Sequence, residues 1–314
     1  MAELDIVGIG LSTLDVLIRL GDMPSWEKGG SISSFGLDGG GPVGTACVAA
    51  SRLGARVGYI GIAGNDDVAR LKIDSLVENG VDVSHLAIRE HPETHVIIVY
   101  VHEETGERVF AGLRNLGRSP VEPGELSREY ITSARYLHLD GWHPDAALQA
   151  AKWMHEVGGT VCIDCAKTNG GVRPRTEELV RNCDIVICGS GFAPALTGRS
   201  DLWEAGEAVL DLGPRIVVQT EGEDGSYTTT ADERFHTPAF TVDVHDTTGA
   251  GDVFHGAYLV GMLRGWDLQT IATFATGVSA LKCTRLGGRK GIPSFEEVAC
   301  FLHERGVDLP VPVA

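Results

Sequence analysis

Aromatic residues are scarce in this 314-residue sequence, at 6%, and positive charge is outweighed, with 26 Lys and Arg against 43 Asp and Glu. A formal net charge of -17 repels a phosphate backbone, and no run of Lys or Arg makes a local basic stripe, so nucleic acid is not an expected partner. No Gly-Lys pair occurs anywhere in the chain, which excludes a P-loop. Uncharged stretches such as 185–198 fall short of the roughly 18 apolar residues that suggest a membrane span. Glu3 and Asp5 stand where a signal peptide would be basic, so the expectation is a cytoplasmic protein with no membrane partner. Internal repeats, low-complexity tracts and Pro-rich linkers are absent as well, which disfavours an independent second domain. Seven cysteines, an odd count, lie mostly in apolar runs (Cys162, Cys188, Cys283), the setting of reduced structural thiols.

What the chain does contain is alternation. Short β-branched runs at 5–10, 57–62, 135–139, 160–164, 184–188 and 216–220 are separated by helical patterns at 43–53, 68–79, 145–157, 202–212, 250–263 and 268–283. That order predicts an α/β fold with a doubly wound, mostly parallel sheet between helices, in one domain over 1–314. Two segments, about 13–35 and 94–114, break the alternation. The second reads as a hairpin with a polar turn at Glu103-Glu104-Thr105-Gly106. Inserted in an α/β domain, such strands form a small β-sheet lid over a site.

The most informative segment is Asp246-Thr247-Thr248-Gly249-Ala250-Gly251-Asp252-Val253-Phe254-His255-Gly256-Ala257. Its small residues open a helix, where free backbone N–H groups and the helix dipole favour an anion such as a transferring phosphoryl group. Asp252 falls on the first turn, placed to take a proton from an attacking hydroxyl. The bland alternative is a Gly-rich turn followed by an acidic helix N-terminus.

This segment resembles the second signature of the ribokinase/PfkB family of carbohydrate kinases. Gly39-Gly40-Gly41-Pro42 and Ser51-Arg52-Leu53-Gly54 resemble the first signature, and the likeness covers nearly the whole chain. It implies a ribokinase-like fold and transfer of the γ-phosphoryl group of ATP, with Mg2+, to a hydroxyl of a small sugar. Asp252 would then be the base, and the N–H groups of Gly249, Ala250 and Gly251 the anion hole. Asp15, Gly39, Gly40 and Gly44 would lie on the substrate side, and Thr220, Gly222 and Gly225 on the nucleotide side. Asp246 and Thr248 match positions that in relatives hold a monovalent cation, here K+, with carbonyls of a later loop supplied by Lys282, Arg285 and Gly287. A homodimer formed through the lid is the implied assembly.

Departures from the family pattern matter equally. Gly44 stands where the first signature usually has Asn, and Gly189-Ser190-Gly191-Phe192 replaces an Asn-x-x-Glu motif that organises magnesium in relatives. The wording of Gly39 to Pro42, Asp246 to Ala257, Ala280 to Arg285 and Gly287 to Pro293 is nearest to the sulfofructose kinase branch. The Asn and Arg that branch uses near the substrate's far end fall at Gly112 and Gly141, so Lys28 and Arg114, in the two lid segments, are the charges left to meet an acid sugar. A nucleoside kinase of the same family and a non-catalytic sugar- or nucleotide-binding protein remain as alternatives. The low aromatic content of the lid speaks against the first, and retention of Asp252 against the second.

Weaker signals have ordinary explanations. Gly8-Ile9-Gly10 lacks the third glycine and following helix of a dinucleotide fingerprint. Cys162 and Cys165 have metal-ligand spacing without a second pair. Among His138, His143, His245 and His255, the substrate-contact candidate is His143, just past a core strand, where α/β proteins bind ligands.

Overall fold

The computed structural model describes residues 4–113, 118–168 and 171–310. Fourteen strands are described: β1 Ile6–Ile9, β2 Thr13–Leu20, β3 Ser34–Gly40, β4 Val57–Ile60, β5 Ile62–Ala63, β6 Ala87–Ile88, β7 Val96–His102, β8 Arg108–Gly112, β9 Tyr136–Leu139, β10 Thr160–Cys165, β11 Ile185–Gly189, β12 Ile216–Thr220, β13 Ser226–Thr229 and β14 Arg234–Thr237. The helices are α1 Pro42–Arg52, α2 Asp67–Val77, α3 Arg128–Thr132, α4 Pro144–Glu156, α5 Thr176–Val180, α6 Phe192–Thr197, α7 Leu202–Leu210, α8 Ala250–Leu263, α9 Leu268–Cys283 and α10 Phe295–His303.

An eight-stranded sheet runs in the order β14-β13-β12-β11-β10-β9-β1-β4. The six strands from β12 to β4 are parallel, and β13 and β14 add an antiparallel edge. Successive side chains of a strand point to opposite faces, and the core divides accordingly. Ile6, Cys162, Ile185, Ile187 and Val218 join one buried cluster with α1, α8, α9 and α10. Val7, Ile163, Val186, Cys188 and Val217 join the other with α3 to α7. Both faces are covered, as a parallel sheet requires.

The lid is a separate four-stranded sheet in the order β3-β2-β7-β8. Its start is anchored by a fully buried Lys72–Glu93 ion pair between α2 and the approach to β7. The Glu93 carboxylate also accepts the N–H groups of Thr94, His95 and Gly64, so one side chain fixes where the lid leaves the body. Strand pairing puts Asp15, Leu17, Val99, Arg108 and Phe110 on the side of the lid that faces the site, and Phe35, Ile18, Tyr100 and Val109 in one row on the outer side. No described helix is long and apolar enough to cross a membrane.

Candidate active site

Gly249 caps α8 with φ 74°, a left-handed conformation that glycine adopts without steric cost, and the Ala250 N–H that follows it is donated to the Thr247 carbonyl at 3.2 Å. A side chain on Gly251 would project into open space, so the helix mouth is clear. Asp252 follows, half-buried. Burial, reinforced by the charges of Asp15 and Asp140 and opposed by Arg289 and Lys282, pushes its carboxyl up to about 6. Asp15 is likewise pushed up to about 6 by burial, against the Thr13 hydroxyl that donates to it at 2.6 Å and the Arg289 charge. The charge of the expected substrate carboxylate therefore reaches the expected base.

On the other side of the helix mouth lies a cleft of about 510 Å3. Thr220, Gly222 and Gly225 line it together with Ala250 and Gly251. Its remaining wall was not anticipated: Ala239 to Val242, Val244, Phe254, Thr276 and Ala280 make an apolar slot. The 239–244 segment is irregular, so no periodicity marks it in the sequence.

The end of the site at Asp15 holds a second group without a sequence signal. Arg289 is 1% exposed and donates to Ser12 Oγ (2.9 Å), the Gly40 carbonyl (2.7 Å) and Ser75 Oγ (3.1 Å). Its guanidinium fills the space that a side chain at position 44 would take. A Cβ on Gly44 would overlap Arg289 Nη2 and lie 2.8 Å from Ser12 Cβ, while one on Gly39 would overlap Arg289 and one on Gly40 would overlap the Asp15 carboxylate. The glycines expected to close on the sugar are thus the positions that let Arg289 and Asp15 approach the backbone. Asp38 completes this wall, its carboxylate accepting from the Gly39, Arg289 and Lys290 N–H groups.

Asp246 and Thr248 do come together with the loop after α9. Asp246 Oδ1 accepts the Thr248 N–H (2.8 Å) and Oδ2 the Gly287 N–H (2.9 Å). Burial alone would raise the Asp246 carboxyl, but the Lys282 charge and these hydrogen bonds hold it below the usual range. Lys282 differs from expectation: its carbonyl accepts the Arg285 N–H at the helix end, and its buried side chain, not its carbonyl, turns to Asp246. Burial lowers the pKa of that ammonium while the Asp246 charge opposes the change. The Arg285 side chain pairs with Glu297 at the surface. From the lid, Arg108 donates to Thr248 Oγ1 at 3.1 Å and lies 3.9 Å from Asp246 Oδ1, a latch no local motif announces.

Several expected contacts are not assembled. Lys28 is exposed on the β2–β3 connection, beyond the Arg19–Ser34 pair, which lies four residues, or about 13 Å of strand, from the Asp15–Asp38 pair. Arg114 lies outside the described residues. His143 is 2% exposed, accepts the Val121 N–H at Nδ1 (3.3 Å), and is pushed down to about 4 by burial, so it is a packed neutral residue and not a wall of the cleft. His138 and His255 are also buried and held neutral, with ring centroids 5.4 Å apart. In place of the magnesium-organising Glu, Phe192 is fully buried at the start of α6. Among the described residues no group of three or more His, Cys, Asp or Glu side chains could hold a metal ion.

Comparison with known proteins fits this geometry. The profile of the pfkB family carbohydrate kinases matches residues 6–294. The chain is 30% identical over 300 residues to an ATP-dependent ribose-1-phosphate kinase of Halopiger xanaduensis, covering 96% of this chain and 98% of that one. It is 32% identical over 284 residues to the aminoimidazole riboside kinase of Salmonella typhimurium, covering 85% and 89%. The crystal structure of a Thermotoga maritima ribokinase superposes with a TM-score of 0.83 at 24% identity, over 96% of this chain and 99% of that one. A putative ribokinase II from E. coli, in complex with ATP and Mg2+, gives 0.82 at 21%, over 96% and 99%. The last two likenesses speak to the ribokinase-like fold. The match to the family profile spans both signatures, the lid and the Asp252 helix, and the chain belongs to the pfkB family of carbohydrate kinases, phosphotransferases with a hydroxyl acceptor.

Proposed function

We propose that this chain transfers the γ-phosphoryl group of ATP to a hydroxyl of a small sugar or acid sugar in the cytoplasm, acting as one domain over 1–314 with a lid whose first segment runs past the expected position 35 to Gly40 and whose second carries β7 and β8. The observation that carries this reading is Asp252 on the first turn of α8, next to Ala250 and Gly251, which line the slot with Thr220, Gly222 and Gly225, and within reach of the Asp15 charge. Asp15 orients the acceptor hydroxyls, Asp252 takes the proton, and the N–H groups of Gly249 and Gly251, joined by that of Ala250 once it leaves the Thr247 carbonyl, meet the charge developing on the transferred group. With no protein cage for it among the described residues, magnesium would be held by the phosphates of the nucleotide and by water, where it neutralises phosphate charge.

A second acceptor class has one specific observation in its favour. Phe110 is 58% exposed on the side of the lid that faces the site, beside Arg108, and offers a flat apolar surface to the base of a riboside. A coupled assay of ATP consumption over ribose, ribose 1-phosphate, fructose, sulfofructose, ketodeoxygluconate and ribosides tests both. Turnover of a sugar unaffected by Phe110→Ala supports the sugar reading. A KM rise in Phe110→Ala confined to ribosides supports the riboside reading, and no acceptor across the panel would leave only a binding protein.

The outer face of the lid suits a second copy of this chain. Phe35 (62% exposed), Ile18, Tyr100 and Val109 (59% exposed) form an uncharged row across all four strands. A two-fold axis through the row would set the same apolar side chains of two copies against each other. Sedimentation of the wild type is expected to give a dimer, and Phe35→Glu with Val109→Glu a folded monomer. A monomeric wild type at micromolar concentration removes this assembly.

A further inference from the structure

The potassium site implied by the family resemblance would put a monovalent cation beside the Asp246 carboxylate and the loop after α9. Protein cations already stand there. Lys282, with no solvent exposure, donates from Nζ to the Asp246 carbonyl at 2.7 Å and lies 3.9 Å from Asp246 Oδ2. Arg108 lies 3.9 Å from Oδ1. Each carboxylate oxygen also accepts a backbone N–H, from Thr248 and from Gly287. A potassium ion added here would be a third cation around one carboxylate whose oxygens are already engaged. Potassium therefore does not fit this donor set.

We propose that the Lys282 ammonium is a built-in monovalent cation, which holds the turn leading into the anion hole so that the enzyme needs no potassium. The connection to the site is short. Lys282 pins the main chain at Asp246, whose carboxylate holds Thr248, the residue before the Gly249 cap. The carbonyl of neighbouring Cys283 accepts the His245 and Asp246 N–H groups, and Ser279 on the same helix donates to the Ala250 carbonyl at 2.8 Å. The end of α9 thus braces the turn from both sides, and Lys282 supplies the charge in that brace. It is a positioning residue: it touches Asp246 and not the reacting atoms.

The test compares sodium, potassium, ammonium and tetramethylammonium chlorides at one ionic strength. Wild-type turnover and melting temperature are expected to be the same in all four. Lys282→Ala vacates the ammonium's place, and its kcat in tetramethylammonium should fall about ten- to a hundred-fold, the worth of one charge-assisted hydrogen bond. Potassium or ammonium should restore part of that loss with little change in KM, and should raise the melting temperature of the variant alone. Lys282→Met, which keeps the volume filled, should show the loss without the rescue. Potassium activation of the wild type overturns the proposal, as does a Lys282→Ala variant whose turnover and melting both ignore potassium. Should Lys282→Ala fail to fold, the wild-type comparison and Lys282→Met still decide. The turnover arm rests on the kinase reading above, but the melting arm needs no acceptor, so the two failures are distinguishable.

Discussion

Asp252→Asn is expected to lower turnover by about 10²- to 10⁴-fold, the usual contribution of a positioned general base, while ATP binding persists. The base works ionised, so wild-type kcat should rise with pH through about 6 and then level off. The variant should lose that inflection along with its rate. A second readout separates this from simple damage. The Asp252 carboxyl is pushed above its ordinary value of 3.8 by burial and by Asp15, so its protonated form favours the folded state. That contribution is fully present below pH 3.8 and is lost as pH rises through about 6. At pH 7 to 8 the wild type carries a buried charge that asparagine lacks, and Asp252→Asn should melt at a higher temperature, the gap closing in acid. A variant that keeps near-normal turnover removes Asp252 from the base role. One that is inactive and also less stable at pH 8 points instead to a packing role.

Breaking the buried pair at the root of the lid should have the largest effect on stability. Glu93→Leu strands the Lys72 ammonium with only the Ile62 carbonyl and leaves the Gly64, Thr94 and His95 N–H groups without their acceptor. A loss of about 3–5 kcal/mol in urea unfolding is expected, because an uncompensated buried charge remains. Lys72→Met should cost less, since Glu93 keeps its three backbone donors. The double variant should not recover the wild-type value, as replaced ion pairs sometimes do, because the backbone N–H groups stay unmet. Equal losses in both single variants would show that the pair itself, and not the backbone it holds, is what matters.

The parallel sheet and its long helices were legible because each buries a regular face. The run at 216–220 and the helical patterns at 250–263 and 268–283 match β12, α8 and α9 in both bounds. Helices α3, α5 and α6 are five or six residues long, too short for a hydrophobic period to register. The β13–β14 hairpin lies at the edge and carries Thr, Tyr and Phe but no Val, Ile or Leu, so it lacks the aliphatic run of a central strand. Helix α10 does carry a local signal, since Ser294 and Glu297 form a capping box at its start.

In the candidate site, residues of the two signatures were found where they lead, and those that reach in from elsewhere were not. Arg108 meets Thr248 across 140 positions and Arg289 meets Gly40 across 249, distances over which one sequence carries no pattern. At Lys282 the resemblance implies the carbonyl, whereas the structure turns the side chain to Asp246. Position 282 lies in both the helical pattern 268–283 and the implied cation loop; in the structure its carbonyl accepts the Arg285 N–H at the helix end and its side chain reaches Asp246.

The contact between Gly44 and Arg289 also constrains the order in which this pocket can change over evolution. Asparagine introduced at position 44 alone collides with the guanidinium and with Ser12. Arg289 lost alone leaves Ser12, Ser75 and the Gly40 carbonyl without their donor in a buried wall. Each first step is harmful by itself, and the two substitutions are epistatic. Functional descendants of this chain should therefore keep glycine with arginine or exchange both, and laboratory evolution toward a new acceptor will stall at this wall unless both codons are varied together.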